Sequence, residues 1–290
     1  MLTSEYFAID GALVLAVPTK LGQEFFFDEK QDDKSLVFWE AHHQGKLWLK
    51  ATINYKNWSI LDTNLQQPAE FVLKVLQNVK QLSDSKFQSD DSYFLTTNLQ
   101  FPSNFGLGSS STLMNNLVEW AHINPYILNE LSLGGSGYDI AVAKEKSAIL
   151  YQNKPEIKVE KISFHPKFTD ELIFIHLNQK QDSREGINLY KSKPKSSALI
   201  EEFTLLTKQI SHCQDLENFS ELMTIHENKV SNFIGIPTAK EKYFENCPSF
   251  IKSLGAWGGD FVMASKFSGY EDWFSEKGFS TIFTWEELIC

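Results

Sequence analysis

A chain of 290 residues is long enough for one large domain or two modest ones. At that length folding buries roughly 75 % of the surface the unfolded chain exposes, so no disulfide or metal staple is required. With 42 % hydrophobic, 22 % charged and 13 % aromatic residues, the composition excludes a disordered, collagen-like or low-complexity chain. The 27 Lys+Arg against 37 Asp+Glu leave a formal charge of −10, which argues against nucleic acid or an anionic membrane as the main partner. A small anionic ligand needs only a local site and is not excluded.

Alternation dominates the first third. Ala12 to Val17 and Leu36 to Trp39 read as extended, and Leu47, Leu49, Ala51, Ile53 and Tyr55 recur at every second position, the period of a half-buried strand. Phe71, Val72, Val75, Leu76, Val79 and Leu82 then fall on one helical face, entered through Pro68. A strand-like segment from Tyr93 to Leu99 follows, and helical spacing returns from Thr112 through Leu113, Met114, Leu117, Val118 and Ala121. Beyond Pro155 come a buried strand at Leu172 to Leu177, helices at Ser197 to His212 and Leu216 to Phe233, and a shorter helix after Pro237. The end reads as strand at Phe261 to Ala264, a short amphipathic piece, and strand at Ser280 to Thr284. This order predicts an α+β protein with a division near residues 155 to 168. Cys213, Cys247 and Cys290 show no CxxC spacing and read as free thiols of a reducing compartment. Acidic residues stand where a signal peptide would be basic, and no apolar run nears the ~20 residues of a spanning helix. The expectation is a soluble, cytoplasmic protein.

Two segments carry candidate chemistry. Pro102 to Ser111 (PSNFGLGSSS) lies between a predicted strand and a predicted amphipathic helix. Gly106 and Gly108 let the backbone turn tightly and approach a ligand. Ser109, Ser110 and Ser111 open the helix, where unpaired N–H groups and the dipole favour a phosphate. The segment is neither GxxxxGK(S/T), for want of the lysine, nor GxGxxG, since Ser111 holds the last glycine position. On residues alone it is either a phosphate loop or an ordinary loop with serine caps. The second segment, Gly134 to Asp139 (GGSGYD), brings backbone close to something and ends on a carboxylate. Asp139 either caps the following helix or accepts the proton of a phosphoryl acceptor.

Three segments in order resemble the motifs of the GHMP kinases. Pro102 to Ser111 resembles the family's central motif, Glu5 to Pro18 (EYFAIDGALVLAVP) its first, and Lys252 to Asp260 (KSLGAWGGD) its glycine-rich third. Gly134 to Asp139 resembles the (P/G)-S-G-x-D motif of the mevalonate and phosphomevalonate kinases. The resemblance implies a ribosomal protein S5 domain 2-like N-domain over residues 1–160, a ferredoxin-like C-domain over 161–290, and the site between them. It implies an enzyme that moves the γ-phosphate of ATP, with Mg²⁺, to a small-molecule acceptor such as mevalonate or phosphomevalonate. ATP would be held by Pro102, Gly106, Leu107, Gly108, Ser109, Ser110, Ser111, Gly255, Gly258 and Gly259, with Ser110 on Mg²⁺ and Glu130 as a further metal ligand. Asp139 would be the catalytic base, and Glu5, Tyr6, Ser136 and Gly137 would line the acceptor. The expected assembly is a monomer or homodimer.

The sequence also departs from the family pattern. Ser4 replaces the glycine expected before Glu5, and the family's lysine upstream of that glutamate has no counterpart, which leads us to expect a further N-terminal segment. The alternatives are an enzyme that works without that cation, a homologue that binds nucleotide or metabolite without catalysis, and, among enzymes, a homoserine kinase or a diphosphomevalonate decarboxylase. Trp257 replaces a glycine and reads as packing or base stacking. Glu119 competes with Glu130 as a metal ligand, though each also suits a solvated helix face. His42 and His43 read as surface residues, Arg184 as a loop charge or phosphate ligand, and His226 as a half-buried helix residue or part of the acceptor pocket.

Overall fold

In chain order the computed structural model has strands β1 (Val14–Ala16), β2 (Gln23–Lys30), β3 (Leu36–His43), β4 (Lys46–Asn54) and β5 (Ser59–Thr63), helix α1 (Gln66–Leu82) and strand β6 (Ser92–Leu99). Helices α2 (Ser109–Ala121), α3 (Pro125–Ser132) and α4 (Tyr138–Glu145) precede β7 (Ile149–Gln152), β8 (Lys158–Lys161) and β9 (Leu172–His176). The remainder is α5 (Ser183–Ser192), α6 (Ser197–His212), α7 (Leu216–Ile234), α8 (Ala239–Tyr243), β10 (Lys252–Leu254), β11 (Phe261–Ser265), α9 (Tyr270–Glu276), β12 (Ile282–Thr284) and α10 (Trp285–Leu288). The structure describes residues 1–179, 183–255, 257 and 259–290, without the side chains of 183–185.

The chain falls into two compact units that are not contiguous in sequence. The first comprises Met1–Lys20, Asn104–Leu107 and Ala141–Cys290; the second comprises Leu21–Ser103 and Gly108–Ile140.

The second unit is a five-stranded sheet, ordered β2-β6-β3-β4-β5, backed by helices. Strand β3 runs parallel to β6 and all other pairs are antiparallel. The apolar set that alternates along β4 (Leu49, Ala51, Ile53) meets Val72, Val75, Leu76 and Val79 of α1 and Met114, Leu117 and Trp120 of α2 in one core. Burying these stripes is what fixes the helices on this face of the sheet.

The first unit contains a three-stranded sheet β1-β7-β8 and a four-stranded antiparallel sheet β10-β11-β9-β12. Numbered within itself, the latter runs 2-3-1-4 with helices between its first and second and its third and fourth strands, the ferredoxin-like succession. The residues before β1 are buried too. Leu2 donates to the Leu15 carbonyl (2.8 Å), and Thr207 of α6 bonds Thr3 (2.8 Å). No helix among the described residues is long and apolar enough to cross a membrane.

Candidate functional site

The glycine-serine loop leaves β6 and enters α2. Gly106 (φ +66°) and Gly108 (φ +80°) both occupy left-handed backbone, which a side chain would strain. Gly108, not a serine, is the N-cap of α2, and no side chain caps that helix. Its first-turn N–H groups are therefore left uncapped by side chains, the arrangement that favours an anion. Ser110 is exposed and Ser109 half-buried, while Ser111 is buried.

Ser111 is aimed at Asp139. Its hydroxyl donates to one oxygen of the Asp139 carboxylate, and the Ile140 N–H donates to the other (3.0 Å). Asn115, one turn along α2, donates to the carbonyls of Ser111 (3.1 Å) and Ile140 (3.2 Å), tying α2 to the start of α4. Asp139 thus lies inside the first turn of α4. Its carboxylate takes the adjacent N–H and a hydroxyl from another helix, which is not the bonding pattern of an N-cap. Gly137 (φ +84°) is buried and Ser136 half-buried just before it; Glu130 is exposed on α3.

In the first unit, Glu5 belongs to a buried ionic cluster. Lys252, wholly shielded from solvent, places its ammonium 2.5 Å from Glu5, 2.5 Å from the Ser253 carbonyl and 3.5 Å from Glu227. Glu227 accepts from the Ser253 N–H (3.0 Å) and hydroxyl (2.7 Å). Burial raises the Glu227 carboxyl above its ordinary range, against the pull of Lys252 and the Ser253 hydroxyl and with a further push from Glu5. His226 accepts the Ser4 N–H at Nε2 (2.7 Å), so its proton sits on Nδ1. Burial first, then Lys252, holds this imidazole well below the usual histidine range, so it is neutral. Ser4 (φ +64°) and Tyr6 (φ +65°) flank Glu5 in left-handed backbone. That conformation is the physical reason a glycine suits the position of Ser4, whose hydroxyl bonds to the Leu13 carbonyl (2.7 Å) and Thr207 (3.2 Å) offset the strain.

The glycine-rich segment after β10 holds Gly255 (φ +74°) and ends on Asp260, a non-glycine residue at φ +56°. Trp257 is buried in a core with Tyr6, Phe7 and Tyr190; its backbone N–H donates to the Tyr6 hydroxyl (3.1 Å) and its indole to the Pro237 carbonyl (3.4 Å). It packs and does not present a stacking face. The Asp260 carboxylate lies directly over Gly106. The stretch before Gly106 is gripped as well: the His176 ring bonds the Asn104 carbonyl (3.2 Å), and Phe105 packs on His176 and Phe261 with centroids 4.7 and 5.5 Å apart.

Of the predicted residues, the structure brings Ser111 and Asp139 together in one unit, and Glu5, Tyr6, Gly106 and Gly255 belong to the other. Gly258 and the Arg184 side chain lie outside what is described. Among the described residues no cluster of three or more His, Cys, Asp or Glu is arranged to hold a metal ion. Sequence reasoning missed Lys252, Glu227 and the full burial of His226. A signal existed: His226 falls on the stripe of Phe219, Met223, Val230 and Ile234 that α7 buries, and Glu227 adjoins it.

No family model matches the sequence, and no curated protein matches it. Solved structures do match in fold: the chain has the fold of the GHMP kinases, an α+β architecture, over nearly its whole length. The Methanococcus jannaschii mevalonate kinase is 15% identical at TM-score 0.69, over 97% of this chain and 93% of that one. The Streptococcus pneumoniae phosphomevalonate kinase, in complex with phosphomevalonate and AMPPNP, is 12% identical at TM-score 0.68, over 98% and 96%. The Lactococcus lactis galactokinase complexed with galactose is 12% identical at TM-score 0.64, over 98% and 90%.

Proposed function

We propose that this protein is a GHMP-type phosphotransferase that moves the γ-phosphate of ATP to a small-molecule acceptor, with mevalonate or phosphomevalonate the first acceptors to test. The observation that carries the reading is the Asp139 carboxylate, held by the Ser111 hydroxyl beside an α2 start whose N–H groups no side chain caps. Phosphoryl transfer asks for positioning, charge neutralisation and an oriented acceptor more than for covalent catalysis. In this assignment the backbone of Gly106 to Ser111 holds the phosphates and Ser110 offers a hydroxyl oxygen to the metal. The acceptor oxygen forms its bond to the γ-phosphorus, ADP leaves, and an acceptor hydroxyl passes its proton to Asp139. Mg²⁺ characteristically binds through one or two protein oxygens together with the nucleotide's phosphates. The donor assigned here, a serine hydroxyl oxygen, suits that mode. When bound, the ion would offset charge on the transferred group.

A second reading, nucleotide binding without transfer, draws support from Lys252. The lysine of the glycine-rich segment is spent on Glu5 and Glu227 in the interior and is not presented to a phosphate. Phosphoryl transfer by the unaltered chain, against nucleotide binding with none, separates the two, and Asp139→Asn tests the base. The kinase reading expects kcat to fall by a factor of about 100 or more with nucleotide affinity kept; undiminished turnover removes Asp139 from the mechanism.

A further inference from the structure

Asp260 places a negative charge on the loop that the proposed function assigns to phosphate. Its backbone is fixed at the mouth of β11, where its N–H donates to the Gln179 carbonyl (3.0 Å) and its own carbonyl accepts from Leu177 (2.8 Å). From there the side chain folds over Gly106. A Cβ added to Gly106 would overlap the carboxyl carbon and both its oxygens, and one added to Gly255 would come within 3.1 Å of Oδ2. Two glycines, one from each glycine-rich segment, thus bracket a single carboxylate that is only 6% exposed. Gly106 has little freedom to draw back, because His176 and Phe261 hold Asn104 and Phe105 beside it.

A carboxylate in this position opposes a bare polyphosphate, since like charges brought together in a partly buried setting repel unless a counter-charge intervenes. We propose that Asp260 is a specificity-determining residue that makes nucleotide binding depend on a divalent cation. Its carboxylate repels metal-free nucleotide from the Gly106 loop and admits the nucleotide once a cation has offset the phosphate charge. The inference rests on the proposed nucleotide role of that loop.

The test is calorimetric titration of ATP into the full chain and into Asp260→Asn, once in EDTA and once in excess Mg²⁺. Asparagine preserves the shape over Gly106 and tolerates left-handed backbone. Asp260→Gly, which also removes the charge and suits that backbone, is the second variant should the first not fold. Removing the charge is expected to tighten metal-free ATP by a factor of about 10 or more, with no comparable gain for the Mg²⁺ complex. The advantage that Mg²⁺ confers on binding would shrink accordingly. An unchanged Mg²⁺ advantage in a folded variant overturns the role of Asp260 and leaves the kinase reading standing. Absence of ATP binding by the unaltered chain under both conditions overturns the nucleotide reading, and this inference with it.

Discussion

Replacing Lys252 with methionine removes the cation that pairs with two buried carboxylates while nearly conserving side-chain volume. The ammonium lies 2.5 Å from Glu5 and 3.5 Å from Glu227, and all three side chains are at least 97% shielded, from exposures of 0%, 1% and 3%. At an effective dielectric of about 20, those separations correspond to gross attractions of about 7 and about 5 kcal/mol. Much of this is offset by the desolvation of the charges. What the variant exposes is the asymmetry of such pairs: stripping one partner leaves the others buried without compensation, at a cost of about 3–5 kcal/mol. Loss of packing contributes little, because methionine fills the space. Urea unfolding followed by tryptophan fluorescence would read the loss at neutral pH. A double variant, Lys252→Met with Glu5→Gln, should recover about 1–3 kcal/mol relative to the single one, since the unpaired charge is gone. The pH dependence has a defined sign. Glu227 already has a raised carboxyl, and removing its cation raises it further. Above the ordinary value of 4.5 the native state then binds more protons than the unfolded one, so the variant loses stability as pH rises and its deficit grows from pH 5 to pH 8. A double variant no more stable than the single one, or a deficit that shrinks with rising pH, would refute the reasoning.

Two further predictions concern single groups. The neutral, buried His226 makes the unfolded state the stronger proton binder below the ordinary value of 6.5, so stability falls as pH drops from there, by up to about 1.4 kcal/mol per pH unit. His226→Gln, which keeps an acceptor for the Ser4 N–H, should flatten that fall in unfolding curves taken between pH 7 and pH 5; parallel curves would contradict it. Ser111→Ala frees one oxygen of Asp139, and the expected result is a kcat lowered by a factor of about 10 or more at nearly unchanged nucleotide Kd. A variant that loses nucleotide binding instead would reassign Ser111 to the phosphates.

Much of the fold was legible because burial imposes a period. The alternation from Leu47 to Tyr55 became β4, the stripe from Phe71 to Leu82 became α1, and Leu172 to Leu177, Ser197 to His212 and Leu216 to Phe233 marked β9, α6 and α7. Strand β2 was not legible: it is an edge strand paired only with β6, mostly exposed, and its three consecutive phenylalanines break the alternation. The short β5, β10 and α10 carry too few residues for any period to show. At the candidate site, the left-handed backbone of Gly106 and Gly108 was readable because turn geometry leaves local marks. The pairing of Ser111 with Asp139 spans 28 positions and that of Lys252 with Glu5 spans 247, distances at which only tertiary packing brings partners together. The Asp260 contact with Gly106 was equally hidden, since a glycine needed for close approach looks the same in sequence as one needed for a turn.

The central claim is phosphoryl transfer. The most direct test incubates the purified chain with Mg²⁺ and ATP labelled in the γ-phosphate, together with mevalonate, phosphomevalonate, homoserine or galactose, and follows each acceptor by mass spectrometry. The account predicts that one acceptor gains the labelled phosphoryl group with matching ADP formation, and that Asp139→Asn slows the gain by a factor of about 100 or more. ATP bound without label reaching any acceptor would contradict it; transfer that survives Asp139→Asn unchanged would remove Asp139 from the mechanism.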